Sequence, residues 1–196
     1  MTISIKNIEE ETSLKLQGPL KWGKIIPSES QGIYIVVTPK EVISKLNFDK
    51  QIIDLWIQKV PNMRINNEES TYYNLTNEIK KYWLEDEIIL YVGKTTQPIQ
   101  TRVNQYYQTK IGERKPHSGG YWIKTLSFLN DCLIYWAECD NPEITEENIL
   151  RFFHNKLSNK DISKENLVLP FANLEIHLHD KKQKIRKCTM LKKARI

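Results

Sequence analysis

The chain has 196 residues, 40% of them hydrophobic and 27% charged, which suits one domain with an elaboration, or a domain and a tail, and is ordinary for a globular protein. Its longest apolar stretches, "GIYIVV" and "EIILYVG", are far too short to span a bilayer, and the N-terminal "MTISIKNIEEE" is polar and acidic rather than signal-like, so no membrane contact and a cytoplasmic location are expected. Of the 29 bases behind the net charge of +5, eight lie in 181–196, "KKQKIRKCTMLKKARI", leaving 21 bases against 24 acids, a balance of −3, in residues 1–180.

In chain order, "GIYIVVT" (32–38) is β-rich and reads as a first strand. "PKEVISKLNFDKQIIDLWIQKV" begins at Pro39 and repeats apolar residues through Ile52, Ile53, Leu55, Trp56 and Val60, a helical pattern ended by Pro61. "NLTNEIKKYWLEDE" predicts a second short helix with Leu75, Ile79, Tyr82 and Trp83 on its apolar side, and Trp56 and Trp83 are expected in the core. "EIILYVG" (87–93) is a second strand. "QPIQTRVNQYYQTKIG" follows as an amphipathic helix with Pro98 near its start and Gly112 after it, and "GGYWIKTLSFL" starts another. "DCLIYWAEC" (131–139) is a third strand, and "PEITEENILRFFHNKL" a helix with Thr145 as expected N-cap.

The fold class implied is α+β: a three-stranded, mostly antiparallel sheet flanked by helices, whose first two strands form a hairpin interrupted by a helical insert over 39–86. Residues 1–180 form the domain and 181–196 a basic C-terminal tail. In that tail Ile185, Cys188 and Leu191 recur every three residues, which predicts a helix docked on the body with its lysines outward. A block so dense in bases fits a polyanionic partner, nucleic acid above all, or else a solvated end with no partner. Three cysteines with no C-x-x-C pair fit a reducing compartment.

The stretch "IILYVGKT" (88–95) invites comparison with the phosphate-cradling loop of nucleotide hydrolases. That loop needs a glycine five residues before the one at 93, and Ile88 stands there, so the cradle is lost. A different pattern fits. "GIY" at 32–34 and "YVG" at 91–93, both on strands, are followed by Arg102 one turn into the next helix, Tyr106 four residues on, "EENIL" with Glu146, Ile149 and Leu150 after the third strand, and "LPFANLE" with Asn173.

These elements, in this order over roughly residues 20–177, resemble the GIY-YIG nuclease superfamily, as does "HSGG" at 117–120. The resemblance implies a metal-dependent endonuclease that hydrolyses phosphodiesters, with double-stranded DNA the expected partner and one Mg²⁺ or Mn²⁺ held by Glu146. Arg102 would clamp the non-bridging oxygens, Tyr34 would be the general base, and Tyr91 would orient water or phosphate. Tyr106 completes the catalytic set, and Lys94, His117 and Asn173 would contact substrate. Because a phenol is a poor base at neutral pH, Lys94, Arg102 and the metal would have to depress the pKa of Tyr34. Glu147 rivals Glu146 if the helix phase shifts by one, and Asn173 has a structural alternative, holding a loop over the site. One departure from the family is spacing: Tyr34 and Tyr91 stand 57 residues apart, the expanded hairpin being the 39–86 insert, which is expected to lie beside the groove and help to select the substrate.

"HLH" puts His177 and His179 on one face of a strand, as two metal ligands would be, with no third ligand nearby in sequence. Besides the endonuclease, two classes remain open: a non-catalytic nucleic-acid-binding module on the same fold, and a structural or protein-interaction domain. Oligomerisation is compatible with all three.

Overall fold

The computed structural model describes residues 2–39, 46–113, 119–158 and 160–187. His117, Cys188 and the end of the basic tail lie outside the described residues. In chain order the elements are α1 (Ile5–Thr12), β1 (Gln17–Lys21), β2 (Gly32–Val37), α2 (Lys50–Lys59), β3 (Arg64–Ile65), β4 (Glu68–Glu69), α3 (Tyr72–Lys80), β5 (Ile89–Thr95), α4 (Ile99–Gln108), α5 (Tyr121–Lys124), β6 (Leu133–Glu138), α6 (Pro142–Leu157), β7 (Glu175–Leu178) and β8 (Gln183–Arg186). The fold is α+β. None of the described helices is long and apolar enough to cross a membrane.

The sheet has four strands rather than the three expected, ordered β1-β6-β2-β5 and antiparallel throughout. The three expected strands are β2, β5 and β6, and β2 and β5 pair as the expected hairpin. β2 lies between two partners and both its faces are covered, which is why it reads as a continuous apolar run instead of an alternating one. Tyr34 and Val36 enter one core with α2, α3 and α4, while Ile33, Ile35 and Val37 enter a second with α1 and α6. The same period of two in β5 sends Tyr91 and Gly93 to the first face and Val92 and Lys94 to the second.

The insert is not all helix. α2 begins at Lys50, where Asp49 accepts from the Ile52 amide, and a small β3-β4 hairpin separates it from α3. Thr71 and Asn74 cap α3 reciprocally, so it starts earlier than its apolar periodicity predicts. The N-cap of α6 is Asn141, not Thr145: Asn141 Oδ1 accepts from the Ile144 amide and Pro142 takes the first helical position, where a missing N–H costs nothing. Trp56 is buried in the core as expected, and Trp83, half-buried, packs against that core on Phe128 and Phe171.

The described part of the basic tail is a strand and not a helix. β8 pairs with β7, burying Ile185 against Ile176, and Lys187 fixes the end of the hairpin: its amide bonds Leu174 O at 2.8 Å and its ammonium donates to the carbonyls of Leu169, Pro170 and Phe171. Ile185 supplies burial on a pleated face where the three-residue recurrence suggested a helical stripe.

Candidate active site

A groove of about 460 Å³ runs beside edge strand β5, where the two faces of the sheet meet. β5 contributes Tyr91 and Lys94, α4 contributes Arg102, and α6 contributes Glu146. Trp56 of the insert, Tyr121 and Trp122 line it on one side, and Asn173, Glu175, His177 and Arg186 on another. A shallower depression of about 210 Å³, lined by Thr95, Thr96, Gln97 and Glu143, shares Lys94 and Arg102 with the groove. The two cations thus form a ridge between two polar hollows.

Lys94 reaches Glu146 Oε2 at 3.2 Å and Glu143 Oε1 at 3.7 Å. Burial holds the Glu146 carboxyl above the usual carboxylate range, with Glu143 and Glu175 adding to the shift and Lys94 opposing it. Its neighbour Glu147 points elsewhere. Glu147 accepts from the His179 amide at 3.0 Å and from Arg151 Nε at 2.7 Å, and pairs with the His179 ring. Burial would raise this carboxyl too, but those donors outweigh it and hold it below the usual range. Glu147 is therefore an internal ion-pair residue, and of the two carboxylates it is Glu146 that lines the groove.

Tyr34 does not line the groove. Its side chain is 1% exposed and lies behind Tyr91, the two ring centroids 6.0 Å apart. The Tyr34 oxygen accepts hydrogen bonds from the Tyr91 hydroxyl and the Arg102 guanidinium. Arg102 alone does not bring this phenol below its ordinary value. Burial pushes its pKa up, further than Arg102 and Tyr91 pull it down, so it is protonated at neutral pH. The donors around its oxygen are nonetheless those that a developing phenolate needs. Gly93, directly across the ladder from Tyr34, makes room for it: a Cβ there would lie 2.4 Å from Tyr34 Cζ.

Two other expected site residues work behind the surface. Tyr106 is fully buried and donates to Gly120 O at 2.7 Å, so its hydroxyl ties α4 to the groove's Gly119–Tyr121 wall and does not face substrate. Asn173 forms a side-chain substitute for a ladder strand: its Nδ2 donates to Val92 O and its Oδ1 accepts from the Val92 amide, each at 2.8 Å. With the Ala172 amide bonded to Leu90 O, this loop closes the free edge of β5 along those residues. The structural alternative for Asn173, holding a loop beside the site, is thus what these two bonds describe, while its side chain also lines the groove. Asn173→Ala should cost about 1–3 kcal/mol, because it strands a buried amide and carbonyl at once. A denaturant midpoint unchanged by that substitution would contradict the assignment.

Sequence reasoning missed Glu143, Glu175 and Arg186. Glu143 stands one helical turn before Glu146, a spacing visible in the sequence, whereas Glu175 and Arg186 meet only through the β7-β8 pairing.

Among the described residues no group of three or more His, Cys, Asp or Glu is arranged to hold a metal, and His177 and His179 pair with Glu175 and Glu147 instead. The described residues therefore offer no cage made wholly of protein. Mg²⁺, by contrast, binds through one or two carboxylates and fills its other positions with water and substrate phosphate. Glu146, a single hard oxygen donor crowded by other carboxylates in an open polar groove, fits that requirement.

Scans of family models, curated proteins and solved structures give no match to the chain.

Proposed function

We propose that this chain is a metal-dependent endonuclease of the GIY-YIG kind that hydrolyses phosphodiester bonds in nucleic acid, with double-stranded DNA as substrate. The observation that carries the reading is the convergence of Tyr91, Lys94, Arg102 and Glu146 on one groove, with the Tyr34 oxygen directly behind them. Three separate elements contribute to that set. A module that only binds phosphates has no use for Glu146, since a desolvated carboxylate beside two cations weakens the attraction for an anion. A carboxylate perturbed by burial and placed among charge partners in a cleft is instead the mark of a reacting site.

In this reading Arg102 and Lys94 bind the non-bridging oxygens of the scissile phosphate. Substrate offers Lys94 an alternative to Glu146, leaving that carboxylate to hold the metal. Mg²⁺ or Mn²⁺, when bound, supplies charge neutralisation at the phosphoryl oxygens and acidifies water. Tyr91 orients water or phosphate at the groove surface. Tyr34 stays protonated in the resting protein, fixes Tyr91 and Arg102 through its oxygen, and is the nearest group able to accept a proton as charge develops. Trp56 brings the insert to the groove wall, and Arg186 of the basic tail borders the same groove.

Supercoiled plasmid incubated with the purified protein and Mg²⁺ or Mn²⁺ should be nicked or linearised, and chelation with EDTA should stop the reaction. Plasmid left intact with both ions, at protein concentrations that bind it, would favour the binding module.

A further inference from the structure

The β7-β8 hairpin has two unlike faces. Ile176, Leu178 and Ile185 are buried against the core that holds α6, which sets the hairpin rigidly. The other face carries Glu175 opposite Arg186 and His177 opposite Lys184, and three of these four line the groove. One carboxylate serves all three basic side chains: Glu175 Oε2 accepts from Arg186 Nε at 2.9 Å, and Glu175 Oε1 meets Lys184 Nζ at 2.5 Å and His177 Nε2 at 3.4 Å.

That arrangement exceeds what an internal ion pair requires. One base would neutralise Glu175; two permanent cations leave a positive excess on the rim. Arg186 is 60% exposed and spends only Nε on Glu175, so its terminal Nη amines have no protein partner among the described residues. A guanidinium held through Nε on a residue that lines the groove keeps the two terminal amines with which arginine grips a phosphate through parallel hydrogen bonds. Glu175 is also close enough to Glu146 to disturb its ionisation, so this cluster adjoins the metal-binding carboxylate.

We propose that this face of the hairpin is a second phosphate site, in which Arg186, with Lys184 and His177, binds the phosphate next to the one cleaved. The inference rests on the nuclease reading and narrows it: the substrate is a nucleic-acid strand laid across the groove from the Lys94–Arg102 ridge to the hairpin, and not an isolated phosphodiester. Arg186 is on this account a binding residue that sets the register of the strand.

The test is binding of a short fluorescent DNA duplex in EDTA, over a series of salt concentrations, so that cleavage does not enter. Arg186→Ala should weaken binding at low salt about tenfold and lower the slope of log affinity against log salt by about 0.9, one phosphate contact. Arg186→Gln, which keeps a hydrogen-bonding group beside Glu175 should the alanine variant fold poorly, should lose the same increment. Lys6→Ala removes an equal charge from an exposed position on α1, 82% accessible, and should leave the slope as it is. Equal slopes for the Arg186 variants and the parent, or the same loss for Lys6→Ala, overturn the second site while leaving the nuclease reading standing. A parent protein that binds no duplex at any salt overturns both.

Discussion

Glu146→Gln is expected to reduce metal-dependent cleavage by about 10³-fold or more while making the protein more stable at neutral pH. The first half follows from the role proposed for the carboxylate: losing several kcal/mol of transition-state charge stabilisation costs a factor of ten for each 1.36 kcal/mol. The second half follows from burial, which holds this carboxyl above its usual range with help from Glu143 and Glu175. A group whose folded pKa is raised contributes stability that is complete below the unfolded pKa and is lost as pH rises through the folded value. At neutral pH the folded parent therefore carries an unfavourable ionisation that the neutral amide lacks. Melting temperatures of parent and variant should agree in acid and separate, with the variant higher, as pH approaches neutrality. A rate within about tenfold of the parent would remove Glu146 from the chemistry. A melting temperature at neutral pH lower than that of the parent would show that the Lys94 ion pair outweighs desolvation.

The sequence discloses the phase of the site residues and conceals their depth. Tyr34, Tyr91, Arg102 and Glu146 are legible because each sits at a fixed phase of a strand or helix whose apolar pattern is strong, and strands that pair as expected bring them together. The sequence favours Glu146 over Glu147 without deciding between them, because Arg151, four residues after Glu147, suits an apolar face poorly; in the structure Arg151 is the ion-pair partner of Glu147. Depth is not legible. Nothing in the sequence distinguishes Tyr91, which lines the groove, from Tyr34 and Tyr106 behind it, or shows that burial raises all three phenols. β1 escapes notice because "QGPLK" is exposed along most of its length and has no alternation to read. Of the β7-β8 hairpin only the His177–His179 stretch reads as a strand, and β8 escapes because it has four residues and its charges mask Ile185. The second phosphate site depends on that pairing, so it becomes visible only once the hairpin is known.

Gly93→Ala should destabilise the protein by about 1–3 kcal/mol through overpacking and reduce cleavage about 10²-fold through misplacement of the reacting groups. By strand propensity alone the substitution ought to help, since glycine is the weaker strand residue. The local packing reverses that sign. A Cβ at 93 would lie 2.4 Å from Tyr34 Cζ and 2.6 Å from its oxygen, distances no real side chain tolerates. The ring has nowhere to retreat: Tyr34 is 1% exposed, with the Tyr91 and Tyr106 rings 6.0 and 6.3 Å away by centroid. Moving the phenol also moves the oxygen on which Tyr91 and Arg102 converge, so fold and site fail together. Tyr34→Phe would bring no relief, because Cζ remains the nearest atom. Tyr34→Leu would, and a double-mutant cycle isolates the contact: Gly93→Ala should cost clearly less in the Tyr34→Leu background than in the parent, by denaturant unfolding. An equal cost in both backgrounds would mean that the glycine answers to the backbone of β5 and not to the phenol it faces.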